Sequence, residues 1–259
     1  GFKVYATMRN LEKQQPLQEA MEKAGVNFEI RQLDVTDNSS VQRCVEEIVN
    51  KEGRIDLLVN NAGAGFVKPT ELATEEEIQT VTDVNYYGVV RCTRAVLPHM
   101  REAKTGHIIN ITSVGGLVGQ PFNEFYCAAK FAVEGYTESL ATYVQPKFNI
   151  KFTLVEPGGI RTEFANNVLK NLQASGGISH EAYLPILQKY IENAQNRMTG
   201  DIYQHPDDVA AVVVQCALQQ DPPLRIRTSE WSENFCRLKT GLDPDGKKLQ
   251  KQVVDTFLS

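Results

Sequence analysis

A parallel, doubly wound α/β sheet is the fold class that this chain predicts, and three observations carry the prediction. Short apolar runs rich in β-formers alternate with segments of helical period along the whole length. The 259 residues are 42% hydrophobic and 23% charged, the composition of one large globular domain with a substantial core. No internal repeat, low-complexity tract or linker divides the chain, so residues 1–259 read as a single domain.

The elements follow in order. Phe2 to Thr7 alternates as a strand, and Leu11 to Ala24 reads as an amphipathic helix ended by Gly25. Phe28 to Leu33 is the next strand, followed by a helix from about Ser39 to Lys51. The apolar run Ile55 to Val59 precedes a helical region from Thr74 to Met100, then a strand from 107 to 112, the helix carrying Tyr126, and a strand from Lys151 to Val155. Strands and helices alternating at this pitch imply right-handed crossovers. Leu224 to Arg227 looks like a last strand and Leu249 to Leu258 like a closing helix, with turn signals at Pro222-Pro223 and Asp243-Pro244-Asp245-Gly246. Between them and the central strands, residues 163 to 205 form an irregular helical insertion, where such a fold can vary its pocket.

A net charge of −5 with scattered Lys and Arg gives no basic field, which argues against nucleic acid as a partner. The five cysteines, Cys44, Cys92, Cys127, Cys216 and Cys236, lack metal-ligand spacing and fit buried small residues in a reduced, cytoplasmic protein. No apolar run approaches the roughly 20 residues of a membrane helix, although peripheral association stays open.

Tyr126 and Lys130 stand four residues apart, and Ser113 lies thirteen residues upstream of Tyr126 at the end of an apolar stretch. On a helix that spacing puts phenol and ammonium on one face. An adjacent cation favours the phenolate and lowers the phenol's pKa from ~10, and Ser113 can share a substrate oxygen with the phenol. Taken singly, such residues are usually a surface pair and a turn serine.

As a set, Asn60-Asn61-Ala62-Gly63 after a strand, Asn85, Ser113, Tyr126-x-x-x-Lys130 and Pro157-Gly158-Gly159-Ile160-Arg161-Thr162 resemble the motifs of the short-chain dehydrogenase/reductase family. The resemblance covers nearly the entire chain and implies a Rossmann-type sheet. Phrases such as Val4-Tyr5-Ala6-Thr7-Met8-Arg9 and Tyr126-Cys127-Ala128-Ala129-Lys130-Phe131-Ala132 are similar to its branch of type 1 17-beta-hydroxysteroid dehydrogenases and photoreceptor-type retinol dehydrogenases. The region 163 to 205 departs much more.

The resemblance implies that Tyr126 is the general acid or base, that Lys130 lowers its pKa and holds the nicotinamide ribose, that Ser113 holds the substrate oxygen, and that Asn85 positions a relay water. It also implies cofactor contacts from Asp34, Asn61, Ala62, Gly63, Pro157, Gly158, Ile160 and Thr162. Asp34 and Asp37 read equally well as helix caps. Arg9, with no acidic residue from Val4 through Asn10, favours NADP(H) over NAD. The expected reaction interconverts a ketone or aldehyde and an alcohol on a lipophilic substrate of the steroid or retinoid class. A carbonyl reductase for another small metabolite and a non-catalytic dinucleotide-binding regulator are the alternatives.

Phe122, Phe125, Phe164 and Tyr190 offer apolar surface near the expected cleft, and Glu230 is a candidate for a distal substrate hydroxyl. The helices around 74 to 100 and 124 to 146 suggest a homodimer or homotetramer. The family's first strand and Gly-rich phosphate loop have no counterpart ahead of Gly1; the expectation is a piece of a longer protein, with that strand falling between 2–7 and 55–59.

Overall fold

The computed structural model describes residues 1–174, 176, 177, 180–200 and 202–257. Strand β1 (Tyr5–Met8) leads through α1 (Gln15–Ala24) to β2 (Glu29–Gln32), and the two strands pair in parallel from Tyr5 opposite Glu29 to Met8 opposite Gln32. Gly25 ends α1 at φ 64°, the left-handed conformation that a residue without Cβ adopts at least cost. Asp37 caps α2 (Asn38–Glu52) by accepting from the Ser39 N–H at 2.8 Å, which assigns the capping role to Asp37 and not to Asp34.

A second sheet holds β3 (Leu57–Asn60), β4 (Gly106–Ile111), β5 (Ile150–Glu156) and β6 (Arg225–Arg227) in that order, all parallel. Parallel strands need crossovers, and helices supply them. The helical region expected from 74 to 100 is interrupted: α3 (Glu75–Thr82), opened by a Thr74–Glu77 capping box, passes through a π-helical turn at Asp83–Tyr87 into α4 (Gly88–Ala103). Helix α5 (Glu124–Phe148) then joins β4 to β5.

The insertion at 163 to 205 contains α6 (Glu163–Ala174) and α7 (Leu184–Thr199), with residues 175, 178, 179 and 201 outside the described part. Two helices were not foreseen, α8 (Pro206–Leu218) and α9 (Glu230–Thr240). The closing helix α10 (Lys247–Phe257) starts two residues early, and its expected end at Leu258 lies outside the described residues.

One core cluster ties the two sheets together. Val41 and Val45 of α2 pack with Cys92, Val96 and Met100 of α4, Leu140 and Val144 of α5, Ile108 of β4 and Phe152 of β5. Each such aliphatic or aromatic side chain contributes about 1.5–3 kcal/mol on burial. All five cysteines are buried and unbridged. His107 sits in the β4–β5 core against the Thr153 hydroxyl at 2.9 Å, and burial brings its pKa down to about 4, so the ring is neutral.

Strands β1 and β3 do not pair. A groove of about 970 Å³ separates them, lined by residues 1–7 and 54–62, with Val45, Cys92 and Val96 facing it. The family resemblance puts its additional strand at this position. The carboxyl ends of all the strands lie along one edge, where open parallel sheets bind ligands. That edge carries Arg9 after β1, Asp34 after β2, Asn61 after β3, Ser113 after β4 and Pro157 after β5.

Candidate active site

Strand β4 delivers Ser113 to the edge, where it caps a short 3-10 turn, Val114–Gly116, by accepting from the Gly115 N–H at 3.0 Å. With that acceptance made, its own O–H remains available to donate. The Val114 N–H donates to the Pro157 carbonyl at 2.9 Å and the Thr112 N–H to the Val155 carbonyl at 2.8 Å, so the turn is fastened to the end of β5.

Helix α5 points Tyr126 and Lys130 to the same side, as their spacing predicts. The Ser113 hydroxyl lies beside the half-buried Tyr126 phenol. Lys130 is 4% exposed; its ammonium donates to the Ile111 carbonyl at 3.0 Å and sits 5.7 Å from the Tyr126 ring centroid.

The electrostatics correct one expectation. Burial pushes the Tyr126 phenol up to about 12, opposed by Ser113, so the phenol is protonated at neutral pH. Lys130 does not lower it here, because the ammonium is itself buried and turned toward the Ile111 carbonyl, over the ring face. Burial brings Lys130 down to about 8, with Glu134 opposing.

Asn85 lies in the π-helical turn and is fully buried. Its Nδ2 donates to the Ala64 carbonyl at 2.7 Å and the Val81 carbonyl at 2.8 Å, while Oδ1 accepts from the Ala64 N–H at 3.2 Å. Both amide hydrogens are thus spent on backbone, and Oδ1, with the Ala64 N–H already on it, keeps one further acceptor position. A Cβ on Gly63 would fall 3.0 Å from that oxygen and 3.6 Å from Lys130 Nζ. Gly63 is therefore small because the loop 61–64 passes directly over these two groups.

At the far end of the edge, Asp34 Oδ1 accepts from the Thr36 N–H at 2.9 Å and hydroxyl at 2.7 Å. Burial works to raise its pKa, yet the Thr36 hydrogen bonds and then the Arg9 and Arg91 charges bring it below the usual carboxylate range. Arg9 and Asp34 thus share the ends of β1 and β2. Arg91 holds that loop by donating to the Val35 carbonyl at 3.0 Å and to Asp83 at 2.6 Å.

Pro157 to Thr162 forms the opposite wall. Ile160 bridges Gln204, whose N–H donates to the Gly159 carbonyl at 3.0 Å and whose side chain donates to the Thr228 carbonyl at 2.7 Å. Gly158 packs on Ser232 and Trp231; a Cβ on Gly159 would lie 2.4 Å from the Tyr203 ring. The Thr162 hydroxyl accepts from the Phe164 N–H at 3.3 Å as α6 begins.

Of the expected aromatic residues, Phe164 meets the Tyr126 ring edge-on at a centroid distance of 6.0 Å, and Phe125 meets Phe66 at 5.5 Å. Phe122 is only 5% exposed and packs on Tyr190 in a cluster with Leu187, Val67 and Leu72. Glu230 is exposed in the first turn of α9. Sequence reasoning missed Phe66, Tyr203 and Trp231. The adjacent Gly158-Gly159 pair was the available signal that side chains crowd this loop.

Residues 1–173 match the family described as short chain dehydrogenase. The chain is 42% identical over 195 residues to a 3-ketodihydrosphingosine reductase of Bacteroides thetaiotaomicron, covering 75% of this chain and 70% of that protein. It is 40% identical to Retinol dehydrogenase 8 of Bos taurus, covering 95% and 78%, and 37% identical to the Homo sapiens 17-beta-hydroxysteroid dehydrogenase type 1, covering 95% and 74%. Among solved structures, a serine dehydrogenase complexed with NADP+ superposes with a TM-score of 0.72 at 30% identity, covering 88% of this chain and 84% of that one. With its parallel sheet, its Ser-Tyr-Lys cluster and these matches, the chain belongs to the short chain dehydrogenase family of oxidoreductases.

Proposed function

We propose that this protein interconverts a ketone or aldehyde and an alcohol on a lipophilic substrate of the steroid or retinoid class, using NADP(H). The observation that carries the reading is the adjacency of the Ser113 and Tyr126 hydroxyls, with the buried Lys130 ammonium behind them. The Phe164 ring borders that cluster, meeting Tyr126 edge-on.

The residues present fit the two ends of a dinucleotide. Lys130 and the Pro157–Thr162 wall suit the nicotinamide riboside. Asn61, Ala62 and Gly63 pass close enough for backbone contact, and Arg9 beside Asp34 suits a ribose phosphate. When bound, NADPH supplies a hydride to the substrate carbon.

The protein's part is the proton. Tyr126 Oη, protonated at neutral pH, gives its hydrogen to the carbonyl oxygen, and Ser113 Oγ–H donates to that same oxygen. Asn85 Oδ1 and Lys130 hold the path by which the phenol is reprotonated. In the alcohol-oxidising direction Tyr126 must first lose its proton, so alkaline conditions favour that direction. The relatives at 40% and 37% identity motivate the steroid and retinoid class. The sphingoid-ketone reductase at 42% supports a long-chain ketone as the second reading. Tyr87, Phe131 and Tyr143, each more than two-fifths exposed on and around α4 and α5, suit a homodimer face.

The test is NADPH and NADH oxidation by the full-length protein with a steroid ketone, retinal, a long-chain β-hydroxy ketone and small ketones. Tyr126→Phe should lose about 10²–10⁴-fold in turnover. Cofactor binding with no turnover over the whole panel would establish the non-catalytic alternative.

A further inference from the structure

The face of α5 that carries Tyr126 and Lys130 continues one turn on to Glu134. Glu134 is 5% exposed and adjoins Glu156, fully buried at the end of β5 immediately before the Pro157 loop. Gly116, in the turn that Ser113 caps, closes over it: a Cβ there would fall 3.1 Å from Glu134 Oε1. Drawn as two carboxylates, the pair leaves both Glu134 oxygens and Glu156 Oε1 without a hydrogen-bond partner, Glu156 Oε2 alone accepting from Arg227 at 3.1 Å. Buried ionised oxygens with no donor are strongly unfavourable. One proton on Glu134, donated to Glu156 Oε1, satisfies the contact between them.

The surrounding charges decide which carboxyl holds that proton. Arg227 of β6 binds Glu156 and is itself fixed by Glu233 of α9 at 2.7 Å and by the Pro244 carbonyl at 2.7 Å. Arg225 of β6 pairs with Glu138, one turn beyond Glu134 on α5. The neutral Cys236 thiol of α9 also faces the pair, its pKa pushed up to about 12 by burial. Lys130, one turn back on α5, is a buried cation whose charge Glu134 supports. Burial raises both carboxyls, but the Arg227 and Arg225 charges oppose the rise at Glu156, while burial and then the Glu156 charge hold Glu134 well above the usual carboxylate range against the Thr112 hydroxyl, so Glu156 is the pair's better anion.

We propose that Glu134 is a positioning residue for Lys130: through the proton it shares with Glu156, it governs how firmly the ammonium keeps its charge beside Tyr126. While Glu134 is protonated, the hydrogen-bond acceptor of Lys130 among the described residues is the neutral Ile111 carbonyl, and its proton is loosely held. As pH rises, Glu134 gives up the shared proton, and the carboxylate so formed keeps the ammonium charged over a wider range. The pair therefore buffers the charge on which the Tyr126 relay depends. The consequence for turnover rests on the oxidoreductase reading; the electrostatic coupling does not.

The experiment is a pH titration of the Lys130 side chain by carbon-13 lysine NMR on the full chain, its resonance assigned with Lys130→Met. Glu134→Gln should lower the Lys130 midpoint by about one pH unit, a tenfold change in proton affinity. Glu156→Gln removes the anion that keeps Glu134 protonated and should raise the midpoint, and the double variant should follow Glu134→Gln. In parallel, the turnover lost in Glu134→Gln should grow with pH and not be uniform. An unchanged midpoint in Glu134→Gln, or an equal loss at every pH, overturns the proposal. If Glu134→Gln does not fold, the Glu156→Gln midpoint decides: an upward shift supports the coupling, and no shift or a downward one overturns it. Absence of turnover in the parent sinks the oxidoreductase reading and leaves the NMR result standing.

Discussion

Replacing Lys130 by Met should make the protein more stable at neutral pH while removing its activity. Lys130 is 4% exposed and its pKa falls from 10.5 to about 8, with burial as the cause. That depression corresponds to about 3 kcal/mol of penalty for keeping the ammonium in the folded state. Below about pH 8 the lysine is charged in both folded and unfolded chains, and the whole penalty is present. Between about 8 and 10.5 the folded chain releases its proton first, so the penalty fades and the parent gains stability as pH rises. Methionine keeps the apolar stem and loses the donation to the Ile111 carbonyl, worth ~1 kcal/mol. The net gain near pH 6.5 is ~2 kcal/mol, or about 4–8 °C in midpoint for a chain of this size. Thermal or urea unfolding of both proteins between about pH 6.5 and 10.5 checks it, with the advantage shrinking and then reversing. A stability difference that stays flat across that range, or a variant less stable at pH 6.5, refutes the reasoning.

Three further outcomes follow from the site. Ser113→Ala removes the donor to the substrate oxygen and the cap of the 114–116 turn, so turnover should fall about 10²-fold and stability by ~1 kcal/mol, read by kinetics and urea melts. Gly159→Ala forces a Cβ to within 2.4 Å of the Tyr203 ring, and calorimetry should show a loss of about 1–3 kcal/mol. Arg9→Ala should reduce the preference for NADPH over NADH by tenfold or more in kcat/KM; an unchanged ratio would remove Arg9 from cofactor choice.

Alternation of β-rich runs with helical period was enough to read the order of β1 to β6, because stretches such as Ile150 to Val155, in which Lys151 is the one charged residue, stand out between the helical segments. The break at Asp83–Tyr87 was invisible, since a π-helical turn shifts the period by only one residue and α3 and α4 keep continuous apolar faces. Helix α8 was missed because Val212-Val213-Val214 carries no polar face within a short window. The i, i+4 spacing of Tyr126 and Lys130 gave their common side correctly. It could not give the direction of the phenol's pKa, which depends on how much water the fold removes. Glu134 shows the same limit: it follows Lys130 at the same spacing, but a helix glutamate reads as solvated until Glu156 is placed beside it.

The Val114–Pro157 hydrogen bond joins the end of β4 to the end of β5. It makes Ser113 and the Pro157–Thr162 loop a single rigid jaw, so neither can be retuned without moving its mate. Diversification of what this enzyme accepts is thereby channelled into α6 and α7, which hang from Thr162 outside the jaw and can be redrawn while the chemistry stays in register.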